Sequence, residues 1–197
     1  MQNTKKLVLA VASLAGLVLF LSASSNSGAK DKTKDEVFQA QAMGQGTQLG
    51  RNVSVTIHIS DYSTLEERQV LVDAFEKAGS QGLYNALEKM PSKGRIALTG
   101  TVGYDISFVR QLPTENGRKI RVLTNRPINI GETWTSTRST DYNLSAFELD
   151  LSNQKGKSSG VLLPACQFKV DKKTKEVEIE TFQNPWKLVN ILDWSKK

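Results

Sequence analysis

Val53-Ser54-Val55-Thr56-Ile57-His58-Ile59-Ser60 alternates apolar and polar residues without a break. That is the period of a β-strand with one face on a core. Its apolar members are all β-branched, and such side chains, stiff at χ1, suit a pleated surface better than a helix. This is the first expected strand. Just downstream the period changes to that of a helix. Ser63 stands three residues before Glu66, and Thr64 three before Glu67, so either pair makes a capping box. Leu71, Ala74, Phe75 and Ala78 then recur at i, i+3, i+4 and i+7, the apolar stripe of an amphipathic helix. Gly79 supplies a C-terminal stop and Ser80 a second cap, after which Leu83, Ala86, Leu87 and Met90 repeat the spacing until Pro91 ends it.

Beyond Pro91 the period returns to two. Ile96 and Leu98 form one short set, and Tyr104, Ile106 and Phe108 a second. Pro113 to Gly117 reads as a hairpin loop that returns into Ile120, Val122 and Thr124. A polar connection from Asn129 to Asn143 follows, then strands over Leu144 to Leu151, Gly160 to Val170 and Glu176 to Phe182, and a last apolar segment from Trp186 to Trp194. The expected fold class is α+β: one N-terminal strand, two short tandem helices, then about six antiparallel strands forming a sheet or a partly open barrel. Periodicity does not give the order of the strands.

Upstream, Lys5 and Lys6 precede a run from Leu7 to Leu21 that carries no charge, and small residues follow from Ser22 to Ala29. This is the order of a secretory signal peptide. The run of 15 residues falls short of the roughly 20 that span a bilayer. We assign residues 1–24 to the signal, with cleavage at one of several small-x-small sites. An uncleaved anchor is the alternative, and both readings place the domain outside the cytoplasm, secreted or periplasmic. No cysteine follows the run closely enough for lipid attachment, so the membrane is expected to matter only through the signal segment before cleavage. Residues 25–51 mix Lys30, Asp31, Lys32, Lys34, Asp35 and Glu36 with Gly44, Gly46 and Gly50, and read as a flexible polar leader in which Val37 and Phe38 alone are fit to dock. Residues 52–195 are the expected single domain.

The net charge of +6 falls to +4 without Lys5 and Lys6, and that excess sits after Ser152, where nine lysines face five acidic residues and four of the lysines crowd between Lys169 and Lys175. Basic residues crowded on a hairpin tip, without interleaved aromatics, do not make a nucleic-acid surface. One cysteine, Cys166, excludes an intramolecular disulfide, and its apolar surroundings favour a buried small hydrophobe over a nucleophile or an interchain link. One histidine, His58, excludes any metal site that needs two imidazoles. No Gly-x-Ser-x-Gly elbow or Gly-rich phosphate loop occurs, and no metal or cofactor is expected. Glu66 and Glu67 serve a helix start, and Glu176, Glu178 and Glu180 the wet face of a strand, so no carboxylate pair is free for glycoside chemistry.

Two functions from different classes remain. The first is a non-enzymatic binding or interaction module that uses Arg126, Trp134, Arg138, Asp141 and Tyr142, where guanidinium and aromatic groups share a connection presented by a sheet. Its partner would be a protein, a peptide or a glycan. The alternative for Trp134 and Tyr142 is that they tuck into the core. The second function is a small secreted hydrolase built on His58, with Asp61 to orient it and a serine or Cys166 as nucleophile.

Certain strings in the chain carry a resemblance: Val55-Thr56-Ile57-His58-Ile59, Tyr62-Ser63-Thr64 leading into Glu66-Glu67-Arg68, Gly103-Tyr104-Asp105, Thr124-Asn125-Arg126-Pro127-Ile128, and Asp141-Tyr142 before Phe147-Glu148-Leu149. From about Val53 to Phe182 the chain resembles a group of uncharacterised exported proteins of environmental bacteria, acidobacterial ones in particular. Where that group carries Ile-Gly-Phe-Trp-Glu or similar after the Arg-Pro-Ile, this chain has Ile130-Gly131-Glu132-Thr133-Trp134. The resemblance implies an exported domain of unknown role, with Arg126 and Tyr142 in recurring segments, and no activity.

Overall fold

Alternating apolar residues build strands throughout this chain, and more of them than the sequence implies. The structure, a computed structural model, describes residues 35–134, 142–154, 156–170 and 177–195. In chain order these form β1 (Glu36–Gly44), β2 (Asn52–Ile59), the helix α1 (Leu65–Glu88), β3 (Gly94–Leu98), β4 (Tyr104–Ile106), β5 (Phe108–Thr114), β6 (Gly117–Thr124), β7 (Leu144–Ser152), β8 (Ser159–Val170), β9 (Val177–Thr181) and β10 (Trp186–Asp193). All strand pairs are antiparallel, in the order β4-β3-β2-β1-β10-β8-β7-β6-β5, with β9 on the outer half of β8.

The two ends of that order meet at one residue. Lys93 donates its backbone N–H to Ile106, and Ser107 donates its own to Leu123, so the chain leaves β3 and joins β6 across Ser107. A sheet whose first and last strands are successive parts of one segment is a nearly closed barrel. Closure leaves few edges to protect.

A barrel has an inside and an outside, and both are apolar here over part of the wall. Inside, one row of paired residues runs Gly44, Trp186, Leu162, Phe147, Val122, Val109, and the next runs Ala42, Leu188, Gly160, Leu149, Ile120, Gln111. Small residues sit at two tight places in these rows: a Cβ on Gly44 would strike the backbone of Gln48 at 2.1 Å, and one on Gly160 would lie 2.6 Å from the Glu148 carbonyl and 3.2 Å from the Leu149 and Leu188 side chains. Alternating large and small residues fill a narrow barrel without voids. Outside, Phe108, Leu123, Leu144, Ala146, Cys166 and Phe168 are buried under Leu71, Phe75, Leu83 and Leu87 of α1. Neighbours such as Val122 and Leu123 are therefore both buried, one facing each way.

Three expectations are corrected. The fold is a barrel of ten strands among the described residues, with one helix, and not two helices with about six strands. The two expected helices are one element kinked at Ala78 (φ −142°) and Gly79 (φ +60°), and the helix resumes without leaving the barrel wall. Ser80, expected as a second cap, instead accepts the backbone N–H of Phe168 at 3.2 Å and ties the kink to β8. Of the two capping boxes, the one made by Thr64 and Glu67 forms, while Ser63 exchanges hydrogen bonds with Val109 and fixes the helix start to β5.

The third correction concerns the expected leader. Residues 36–44 are β1, hydrogen-bonded to β2 on one edge and β10 on the other, with Phe38, Ala40 and Ala42 in the core. Its inward positions after Phe38 are Ala40, Ala42 and Gly44, so hydropathy at this strand is low although that face is buried. The signal segment expected at 1–24 lies outside the described residues, and no helix among those described is long and apolar enough to cross a membrane.

Burial of Phe38 makes a direct test. Phe38→Ala should cost about 3–5 kcal/mol in urea unfolding, the range for emptying an aromatic site in a core. The same change in a solvated leader would move stability by no more than about 0.5 kcal/mol.

Candidate functional site

Inward alternation runs out at the end of the barrel where β1, β5 and β10 meet the start of β6, and polar side chains take over the apolar rows. Glu36 continues the inward face of Phe38, Arg118 that of Ile120, and Gln111 that of Val109. Arg118 forms a two-pronged pair with Glu36, one Nη1–H···Oε1 bond at 3.0 Å and a second from Nη2 to Oε2. Its Nη1 also donates to Gln111 Oε1 at 2.7 Å and to the Tyr62 hydroxyl at 3.3 Å, and the hydroxyl donates to Glu36 Oε1 at 3.1 Å. The guanidinium lies 6.0 Å from the Phe38 ring centroid, so it closes the apolar interior as a lid. Burial alone would make Arg118 easier to deprotonate, but the bonds to Glu36 reverse that and hold the cation firmly. Burial, and then the charge of Glu36, push the Tyr62 phenol well above its usual range, so it stays a neutral donor. Above this network, Gln111, Pro113, Gly117, Arg118, Leu151 and Asn153 line a shallow depression of about 240 Å³. Pro113, Arg118 and Leu151 are one row across β5, β6 and β7.

A second polar cluster lies on the outside of the same strands, one row beyond the apolar patch under α1. Arg110 stands opposite Arg121, and Arg121 opposite Glu148. Glu148 accepts from Arg121 Nε at 2.6 Å and from Lys119 Nζ at 2.9 Å, and Lys119 also reaches Asp150 at 3.4 Å. Burial would raise the Glu148 carboxyl, yet Lys119 and Arg121 hold it below the usual carboxylate range.

The opposite end of the barrel is capped by the start of the long connection. Gly131 (φ +61°) takes the left-handed backbone that favours glycine, and a Cβ there would press on the Gln48 side-chain amide at 2.7 Å. Thr133 Oγ1 accepts from Ile130 N and lies within hydrogen-bonding distance of the Ile128 and Ile130 carbonyls, while Gln183 Nε2 donates to Ile130 O. No family model, curated protein or solved structure matches this chain.

The residues singled out from sequence do not converge on one place. Arg126 is exposed and stacks on Tyr104, 5.2 Å from the ring centroid. Tyr142 packs edge-on against Phe182 at 5.8 Å and donates to Glu180 at 3.4 Å, tucked against β9. Arg138, Asp141 and the Trp134 side chain lie outside the described residues. His58, on the outer face of β2, faces Asp35 at 3.6 Å with both side chains open to water. Asp61 pairs with Lys93 at 3.0 Å, and Lys93 with Glu67 at 2.9 Å, so the acid expected to orient His58 is engaged at the start of α1. Cys166 is fully buried under the helix, its thiol pushed up to about 12 by that burial.

Sequence reading missed Arg68, Arg110, Arg118 and Arg121, because it sought basic clusters along the chain and found only the tail. The hairpin register was the available signal. Once Thr114 pairs with Gly117, Arg110 must oppose Arg121.

Two outcomes follow. Arg118→Ala should cost about 3 kcal/mol because it strands Glu36 in the barrel mouth, and Glu36→Gln in the same background should recover much of that loss in a double-mutant cycle. Cys166 should resist a thiol reagent at neutral pH in the native protein and react at once in denaturant.

Proposed function

We propose that this chain is an exported, soluble, non-enzymatic binding domain that takes a polar ligand, a peptide or a glycan, at the mouth of the barrel. The depression over Arg118 carries this reading. Gln111 and Asn153 set amide donors and acceptors at its rim, Pro113 and Gly117 leave a low wall, and the network of Arg118, Glu36 and Tyr62 forms a rigid floor. Polar groups held by a scaffold are suited to amide and hydroxyl recognition. Export rests on the charge-free run from Leu7 to Leu21 and the small residues after it. The hydrolase reading loses its support because His58, Asp61 and Cys166 stand on the outer wall, at the helix start and beneath the helix.

The mouth also differs from the loop first singled out. Arg126 and Tyr142 flank a connection at the far end, and each already has a stacking partner.

Amide NMR titration with a chitin-type oligosaccharide and with a short alanine-rich peptide tests this. One of the two should shift Gln111, Gly117, Leu151 and Asn153 together, and Asn153→Ala should weaken that ligand about fivefold, the loss of one hydrogen bond. Perturbations centred on Asp35 and His58, or a mouth unmoved by both probes, would overturn the assignment.

A further inference from the structure

At the end of the barrel away from the mouth, three pieces of chain close over the interior. After β1 the chain folds back through a short 3-10 turn (Gly46–Gln48), the connection after β6 crosses at Ile130 and Gly131, and Gln183 and Asn184 lead into β10. They pack on one another closely. A Cβ on Gly44 would lie 2.7 Å from that of Gln48, and one on Gly46 would lie 2.1 Å from the Asn184 amide nitrogen. One on Gly131 would lie 2.7 Å from Gln48 Oε1 and 3.0 Å from Gln183 Oε1, so two amide oxygens converge over Gly131. Trp186 enters the same layer from the side, since it pairs with Gly44 and points into the core.

Within this layer one donor and one acceptor stay unmet. Trp186 is 1% exposed and Gln48 2%, yet neither Trp186 Nε1 nor Gln48 Oε1 has a hydrogen-bond partner among the described residues. Polar atoms buried in that state are costly, and each calls for a reason. The two are of opposite kind but do not bond to each other. Turning the Gln48 amide over is no remedy, because an amide NH2 cannot accept from an indole N–H. The species that meets both must accept and donate at once, and it must be small enough for a layer in which three turns touch.

We propose that the closed end of the barrel is a binding site for a single internal water, held by Trp186 Nε1 and Gln48 Oε1. The water accepts from the indole and donates to the Gln48 amide. Its second proton is directed at Gln183 Oε1, a carbonyl oxygen with two lone pairs whose amide nitrogen is occupied by Ile130 O. That gives about three hydrogen bonds, the usual complement of a buried water. The site is independent of the mouth. It joins the start of β10 to the turn after β1, and so gives a reason for an indole N–H and a glutamine to lie inside an otherwise apolar wall.

Water-to-protein NOEs and magnetic relaxation dispersion of the water nuclei, measured on the full folded chain, test the site. The unmodified protein should show an NOE from a long-lived water to the Trp186 indole proton, and that proton should exchange slowly in D2O. Gln48→Leu should abolish the NOE, and Gln48→Leu and Trp186→Phe should each lower the dispersion amplitude by the equivalent of one water. An indole proton with no water NOE, a scalar coupling that shows Trp186 Nε1 bonded directly to the Gln48 carbonyl, or an unchanged amplitude in both variants would overturn it. Should Gln48→Leu fail to fold, Trp186→Phe, which keeps an aromatic ring in the barrel, and the NOE of the unmodified protein still decide.

Discussion

Closure of the sheet at Ser107 is the constraint from which the rest of this molecule follows. Because β4 and β5 are one segment that changes partner there, every strand in between must fit a fixed circumference, and every inward side chain must share one narrow interior. That is why Gly160 sits between Leu188 and Leu149, and why Gly44, where β1 ends, leaves room for the backbone of Gln48. The small residues of β1 and β8 are complements of bulk elsewhere in the same rows. Packing at this density leaves no freedom to exchange them singly.

The same constraint explains which parts of the fold were legible. β2 announces itself because its inward face is Val55, Ile57 and Ile59, large residues in strict alternation. The turn between β5 and β6 and the start of α1 were legible in part, since turn and cap chemistry are local, but the expected strand over Tyr104, Ile106 and Phe108 divides between β4 and β5 at Ser107. β1 was not, because its share of the interior after Phe38 is Ala40, Ala42 and Gly44, and a strand that contributes space rather than bulk has a leader's composition. Gly79 shows the opposite failure. Its non-helical backbone is real, but the apolar stripe on both sides packs on one continuous patch, so tertiary contact joins what local signals divide.

Function was less legible than fold for a related reason. A loop rich in Arg, Trp and Tyr draws attention in one dimension, yet Arg126 and Tyr142 are spent on Tyr104 and Phe182. The arginines that matter stand in a regular hairpin, where Arg118 and Lys119 are neighbours in sequence and point to opposite sides of the wall. Period-two geometry sends Arg118 and Gln111 to the mouth, and Arg110, Lys119 and Arg121 to the outer face. One short stretch of basic residues therefore supplies both the hydrogen-bonded network at the mouth and the ion-pair row outside, and only the register separates them.

The two arrangements also differ in how their charge is met. At the mouth, Arg118 has a dedicated carboxylate in Glu36, an amide in Gln111 and a phenol in Tyr62, a network in which each member supports the others. Such an arrangement gives a rigid floor and little appetite for an ion. On the outer wall, Glu148 is shared between Lys119 and Arg121, and Arg110 stands opposite Arg121 on the same row. β5 and β6 carry both arrangements because a strand in a barrel has two faces, one turned to the interior and one to the outside.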